Sequence, residues 1–367
     1  MEALYTRLRA MQKLTLVLAL LVGATHRGLA ATPVVPRGCS ARESARLLKA
    51  RDHAVLRGMA WMAGFLEDPE NLRALGTDAA AIFLGGRTAR SATVRDLALP
   101  LARYEASRVF PRLLESSLAK RSDLFDSLWL LSEAEVLQIP PEPLLSRVRQ
   151  RLTRLPTAEG LYGIDVAHLD GASEEDVYEL LIDSYMLDKA ALVYPELPLP
   201  TFRLADALRF LFLRRFVGYD EDPSQGHYQF QDHAYLATHV AYVLSDFSRL
   251  RLSPEDLGPL YGYLRTQFEP ALRSGDPELI AEFVDVFRSL GFDEHNDGLV
   301  CRGTRFLLAM QHADGSWGWG AGDREGNPYD AIHGTWVVVD SLRERTFPEG
   351  TPYATFIKSL GPFTPRR

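Results

Sequence analysis

The stretch Arg302–Trp317, with Gly318 after it, reads RGTRFLLAMQHADGSWG. An Arg-Gly pair opens it, Phe306-Leu307 come next, then Gln311, then Gly315-x-Trp317.

On either side of this stretch, two loop-then-helix units look alike. Gly226–Phe247 reads GHYQFQDHAYLATHVAYVLSDF, and Gly318–Leu342 reads GWGAGDREGNPYDAIHGTWVVVDSL. Aligned, they share Tyr235 with Tyr329, His239 with His333, Tyr242 with Trp336, Val243 with Val337, and Asp246 with Asp340. The offset is 94 residues, and half of it, about 47, is the length of a helical-hairpin repeat. An intermediate unit belongs near residue 285, and AEFVDVFRSL (Ala281–Leu290) stands there. It places Glu282 where the other two carry His239 and His333.

The rest of the chain agrees with helices. Segments 41–65, 92–119, 122–138 and 143–155 carry apolar residues at three- and four-residue spacing, and β-branched alternation is scarce. Pro and Gly fall between them, as at Pro140-Pro141 and Pro195 to Pro200. The fold class is all-α.

The Arg302–Gly318 pattern resembles the QW repeat of squalene and oxidosqualene cyclases. In that repeat the glutamine amide stacks on the tryptophan and bonds to backbone ends, tying one helix pair to the next, so the resemblance implies that Gln311 and Trp317 are scaffold. The next helix, NPYDAIHGTWVVVDSL (Asn327–Leu342), is similar to the stretch of protein prenyltransferase β-subunits that supplies a zinc-binding histidine at the start of an inner barrel helix. His333 is the matching residue. The resemblance covers roughly Tyr178–Leu342 and implies an α/α-toroid, a barrel of paired helices, over residues 171–345. Residues 40–170 are read as part of the same barrel and 346–367 as a tail. The chain departs from both families. It has neither the DxDD acid motif nor a DDxxD metal–diphosphate motif, and the prenyltransferase Asp and Cys ligands have no secure counterpart. Asp297 and Cys301, at i,i+4, share a helix face, but at the start of the helix of the Gln–Trp unit, an outer one in a toroid.

Inner toroid helices run parallel, so equivalent positions converge at one mouth. His239, Glu282 and His333 are such positions. Two imidazoles and a carboxylate are ligands that zinc or iron prefers, and a bound divalent metal activates water or polarises a carbonyl. Asp285, one turn after Glu282, is a further ligand candidate. Tyr235, Tyr329, His233 and Asp330 are candidate catalytic groups, with Asp232 beside them. Asp232 and Asp330 read equally well as helix caps. Tyr242, Trp336 and Phe287 are read as cavity wall. The alternative, that the histidines are satisfied core residues, stays open.

The composition bounds the rest. Hydrophobic residues make up 46% of 367 and the net charge is -7, so a large core is available and no general attraction to nucleic acid is expected. Arg7, Arg9 and Lys13 precede the apolar run Leu14 to Ala24, and Gly28, Ala30 and Ala31 come after it. This reads as a signal peptide over residues 1–31 and implies a secreted or periplasmic protein without a stable membrane span. The only cysteines, Cys39 and Cys301, allow one bridge in an oxidising compartment. GxSxG, HExxH, P-loop and GxGxxG motifs are absent. FLGGRTARS (Phe83–Ser91) reads as a turn between helices, and DEHND (Asp293–Asp297) as a charged turn that caps the next helix.

These observations imply an exported metal-dependent enzyme, a hydrolase, lyase or oxygenase, acting on an apolar or extended small-molecule, lipid or glycan substrate. Two alternatives stand beside it: a non-catalytic binding protein on the same scaffold, and a secreted polysaccharide lyase or glycosidase.

Overall fold

A computed structural model describes residues 38–224, 226–318 and 327–361; the signal-peptide reading falls outside them. Among the described residues the protein is all-helical, with no strand and a single isolated bridge between Ala89 and Arg345. No helix there is long and apolar enough to cross a membrane.

The first half contains α1 (Ala41–Leu66), α2 (Pro69–Leu75), α3 (Asp78–Leu84), α4 (Ala92–Glu115), α5 (Arg121–Ser132), α6 (Ala134–Leu137), α7 (Glu142–Thr153) and α8 (Ala158–Tyr162). The second contains α9 (Glu174–Val193), α10 (Leu204–Leu213), α11 (Tyr228–Leu244), α12 (Pro254–Leu257), α13 (Pro259–Ser274), α14 (Pro277–Ser289), α15 (Gly298–Met310), α16 (Pro328–Leu342) and α17 (Pro352–Ser359). Local signals set the starts. Ser40, Asp68, Ser173, Asp276, Asp297 and Asn327 accept from backbone N–H groups of the first turn after them. Proline occupies the opening turn of α2, α14, α16 and α17, where its missing N–H costs nothing.

Asn327, not Asp330, is thus the cap of α16, and Asp330 lies exposed in its first turn. Asp232 likewise lies inside α11, which opens at Tyr228. The FLGGRTARS turn is a short 3-10 segment, Gly85–Thr88, between α3 and α4.

Helices pack in a regular succession: α5 on α9, α9 on α11, α11 on α14, and α14 on α16. A second set covers them: α7 lies on α5, α10 on α9, α13 on α14, α15 on α14 and α1 on both α15 and α16. Burial separates α14 from the α13 helix that packs on it. Every residue of α14 from Leu279 to Ser289 is buried, whereas α13 buries one stripe centred on Leu260, Leu264 and Phe268. The hydrophobic core runs without a break from Ala54 in α1 to Tyr353 in α17. Residues 40–170 and 171–345 therefore share one core. The segment read as a tail includes α17, docked by Tyr353, whose hydroxyl donates to the Val243 carbonyl at 2.8 Å.

The Gln–Trp unit joins the last third of the chain to the first. Gln311 Nε2 donates to the Ala54 carbonyl of α1 and the Gly315 carbonyl, each at 2.9 Å. Trp317 Nε1 donates to Leu307 O at 2.6 Å, and its backbone N–H to Thr335 Oγ1 at 2.9 Å. Gly315 has φ +103°, and a Cβ there would sit 2.7 Å from the Arg57 carbonyl, so only glycine fits. Nearby, Cys39 and Cys301 form a disulfide with Cα atoms 5.8 Å apart. This removes Cys301 as a metal ligand, and Asp297 is spent on capping α15 and on Arg265, 2.6 Å away.

Candidate metal centre

α14 presents Glu278 and Glu282 one turn apart, and α16 packs on it with His333 in its second turn. One ligand atom from each of these residues lies within 4.8 Å of the other two. His333 Nδ1 is 2.7 Å from Glu278 Oε1. Burial opposes protonation of His333, but the Glu278 carboxylate outweighs it and raises the imidazole to about 9. The same contact, against burial, holds Glu278 below the usual carboxylate range. The two shifts agree on an ion pair.

Glu282 behaves differently. It is fully buried, and burial pushes its carboxyl well above the ordinary range. Thr238 Oγ1 meets Glu282 Oε2, and it also lies 2.7 Å from the Tyr235 carbonyl. One hydroxyl proton cannot serve two acceptors. A protonated Glu282 resolves this by donating to Thr238, which then donates to Tyr235. Glu282 Oε1 has no hydrogen-bond partner among the described residues. A buried carboxyl oxygen left this way costs about 1–3 kcal/mol unless a ligand satisfies it.

His239 sits beside this group, with Nδ1 3.6 Å from Glu282 Oε2. Its Nδ1 is also 2.8 Å from the Tyr235 carbonyl, which can only accept, so Nδ1 carries the proton. Burial lowers its pKa to about 4, leaving the ring neutral. The His239–Glu282 contact thus joins two uncharged groups and is no salt bridge. Tyr178 meets the His239 ring edge-on at 4.7 Å, while Tyr329 stacks on His333 at 4.9 Å.

The three positions that the repeat puts in register therefore meet. The tightest group, however, is Glu278, Glu282 and His333; Glu278 stands where the repeat leads one to expect His239. Glu278 lies four residues before Glu282, outside the aligned repeat, and that i,i+4 carboxylate pair was the available signal.

The other expected residues scatter. His233 has both ring nitrogens engaged: Val217 N–H donates to Nδ1 at 2.6 Å, and Nε2 is 3.0 Å from Glu174. It pins a loop to α11. Tyr235 donates its hydroxyl to Asp276 at 3.1 Å and orients His239 through its carbonyl. Tyr329 stacks on the His333 ring. Asp285 pairs with Arg345 and Ser248 instead of facing the cluster. Phe287 packs on Phe268 of α13 at 5.1 Å, between helices, and forms no part of a cavity wall.

Glu278 and His333 retain 30% and 14% of their side-chain surface, and Asp78, Tyr178, Tyr329 and Trp336 are half-buried. Yet burial pushes Asp78 up to about 7, with Asp126 adding and His333 opposing. Sequence reasoning missed Asp78; it opens α3, some 250 residues from His333, and no repeat marks it.

Neither family models nor curated proteins nor solved structures match this chain.

Proposed function

We propose that this protein is an exported metal-dependent enzyme built on an α/α-toroid, with a divalent cation held by Glu278, Glu282 and His333. The observation that carries the reading is Glu282: a fully buried carboxyl with an unpartnered oxygen, within ligand range of a second carboxylate and an imidazole. Two oxygens and one nitrogen suit zinc, manganese or iron(II). A cation there would satisfy Oε1 and release the proton that burial now keeps on Glu282.

The succession α5–α9–α11–α14–α16, covered by α7, α10, α13, α15 and α1, supports the toroid, with the first set inside. The basic and apolar N-terminal segment supports export, and the Cys39–Cys301 disulfide supports an oxidising destination. A bound cation supplies an activated water or a polarised carbonyl, which favours hydrolysis or elimination. The protein's own groups then divide the work. Tyr235 fixes His239 in the tautomer whose Nε2 can accept a proton, while Tyr178 and Tyr329 crowd the rings and limit water.

The test is elemental analysis after incubation with zinc, manganese or iron(II) and gel filtration. The parent is expected to retain stoichiometric metal, and Glu278→Gln and Glu282→Gln to lose it. His239→Ala is expected to retain it, because His239 lies outside the ligand group. Metal lost from His239→Ala and kept in Glu278→Gln would instead favour a two-histidine site.

A further inference from the structure

The turn between α4 and α5 and the last turns of α7 enclose a cavity of about 100 Å3, lined by Ser117, Leu118, Arg147, Gln150, Arg151 and Arg154. These elements contribute nothing to the cation cluster. Arg147, Arg151 and Arg154 follow at spacings of four and three, so one face of α7 carries all three. No carboxylate lines the cavity, and none of the three forms an ion pair among the described residues. Asp123 of α5 is spent on the turn itself, accepting from Ser116 Oγ at 2.6 Å.

Part of this basic set serves the fold. Arg147 donates to the Leu113, Leu114 and Ser116 carbonyls and closes the C-terminal end of α4. The other donors are left over. Arg151 reaches the Ala119 carbonyl through Nη2 at 3.4 Å, but its buried Nε has no hydrogen-bond partner among the described residues. The Arg154 guanidinium and the Gln150 amide make no hydrogen bond there either. Ser117 Oγ accepts from the Ala119 N–H at 3.3 Å, which leaves its own proton to donate. Four of the six lining residues therefore offer donors that the scaffold does not use.

Charge selects the ligand. The C-terminal ends of α4 and α7 each bring about half a negative charge, so three guanidinium groups leave an excess of about two positive charges. The whole chain carries -7, so this excess is local and belongs to no general basic surface. A phosphate group carries about -1.5 to -2 at neutral pH and accepts paired hydrogen bonds from arginine. A carboxylate would answer about half of the excess. An apolar ligand would leave Arg151 Nε buried and unpaired.

We infer that this cavity binds a tetrahedral, doubly charged oxyanion of the phosphate or sulfate type, held by Arg151, Arg154, Gln150 and Ser117. It is a second site, on other helices than the cation cluster and independent of the function proposed above.

The probes are inorganic phosphate, inorganic sulfate and glycerol 3-phosphate, with acetate as the singly charged comparison. Binding to the chelator-treated full chain is read by titration calorimetry at low ionic strength. One phosphate or sulfate per chain is expected, with a dissociation constant of about 1 mM or tighter. Arg154→Gln and Arg151→Gln should each weaken it about tenfold or more. Arg149→Gln should leave it unchanged, because Arg149 pairs with Glu196 at 2.7 Å outside the cavity. Glu282→Gln should also leave it unchanged, which separates this site from the cation cluster. Thermal melts confirm that the variants fold, and Arg154, which makes no contact that the fold needs, carries the test if Arg151→Gln does not. Tighter binding of glycerol 3-phosphate than of inorganic phosphate supports the site with an ester as its ligand, and the reverse order supports it with the free ion. The inference is overturned by absent saturable binding, by acetate binding as tightly as phosphate, or by a loss in Arg149→Gln or Glu282→Gln equal to that in Arg154→Gln.

Discussion

Glu294 joins two arginines from distant parts of the chain. Arg51 of α1 lies 3.1 Å from it, and Arg288 of α14 forms a second contact; all three are buried. Burial works against the Glu294 carboxylate, but the two guanidinium groups outweigh it and lower its pKa to about 2. Burial also lowers Arg51, to about 10, so the pair's gain is partly returned. Only Glu294 of the three titrates in acid. Its folded pKa lies below the ordinary value, so its stabilisation is present above about pH 4.5 and is lost as pH falls toward 2. Glu294→Gln is expected to lower stability by about 3 kcal/mol at pH 7, a difference that shrinks steadily from about pH 5 to about pH 2. Urea midpoints of both proteins across that range check it; a constant difference would contradict it. Glu282→Gln should behave oppositely. It replaces a neutral acid by a neutral amide, so without metal its stability should stay within about 1 kcal/mol of the parent. A loss of several kcal/mol would show that Glu282 is ionised. Residue by residue, the sequence revealed Glu282 and His333, because the helical repeat puts them in register. It hid Asp78, whose place beside His333 comes from packing between distant helices.

Two ties hold the elements together, and each has a measurable strength. The Gln–Trp unit bonds α15 to α1 through Gln311 and to α16 through Trp317. Trp317 is 2% exposed. Trp317→Ala is expected to cost about 3–5 kcal/mol while leaving the metal content of the folded protein unchanged. Lost metal at retained stability would contradict a scaffold role. The Cys39–Cys301 disulfide fastens the start of α1 to α15, supported by Cys39 N–H donating to the Glu294 carbonyl at 2.7 Å. Replacing both cysteines by serine should lower stability by about 2–5 kcal/mol, read as a shift in denaturant midpoint. An unchanged midpoint would mean that packing alone closes this contact. The Gln–Trp unit was legible because its residues are local in sequence. The disulfide was not, because its 262-residue separation says nothing about proximity.

For the whole molecule, a single core and an ordered succession of packed helices make a scaffold on which α14 and α16 bring Glu278, Glu282 and His333 together. The helical class could be read from three- and four-residue periodicity across the chain. The cluster could be read only in part, since the repeat aligns Glu282 with His333 but is silent on Glu278. The chemistry proposed for the cluster depends on a cation held where α14 and α16 meet. Anomalous diffraction from crystals grown with zinc, recorded on both sides of the zinc edge, locates such a cation without any assay. A peak bounded by Glu278, Glu282 and His333 is expected. A map with no peak there, while Glu278 and His333 keep their 2.7 Å contact, would rule out the cation site.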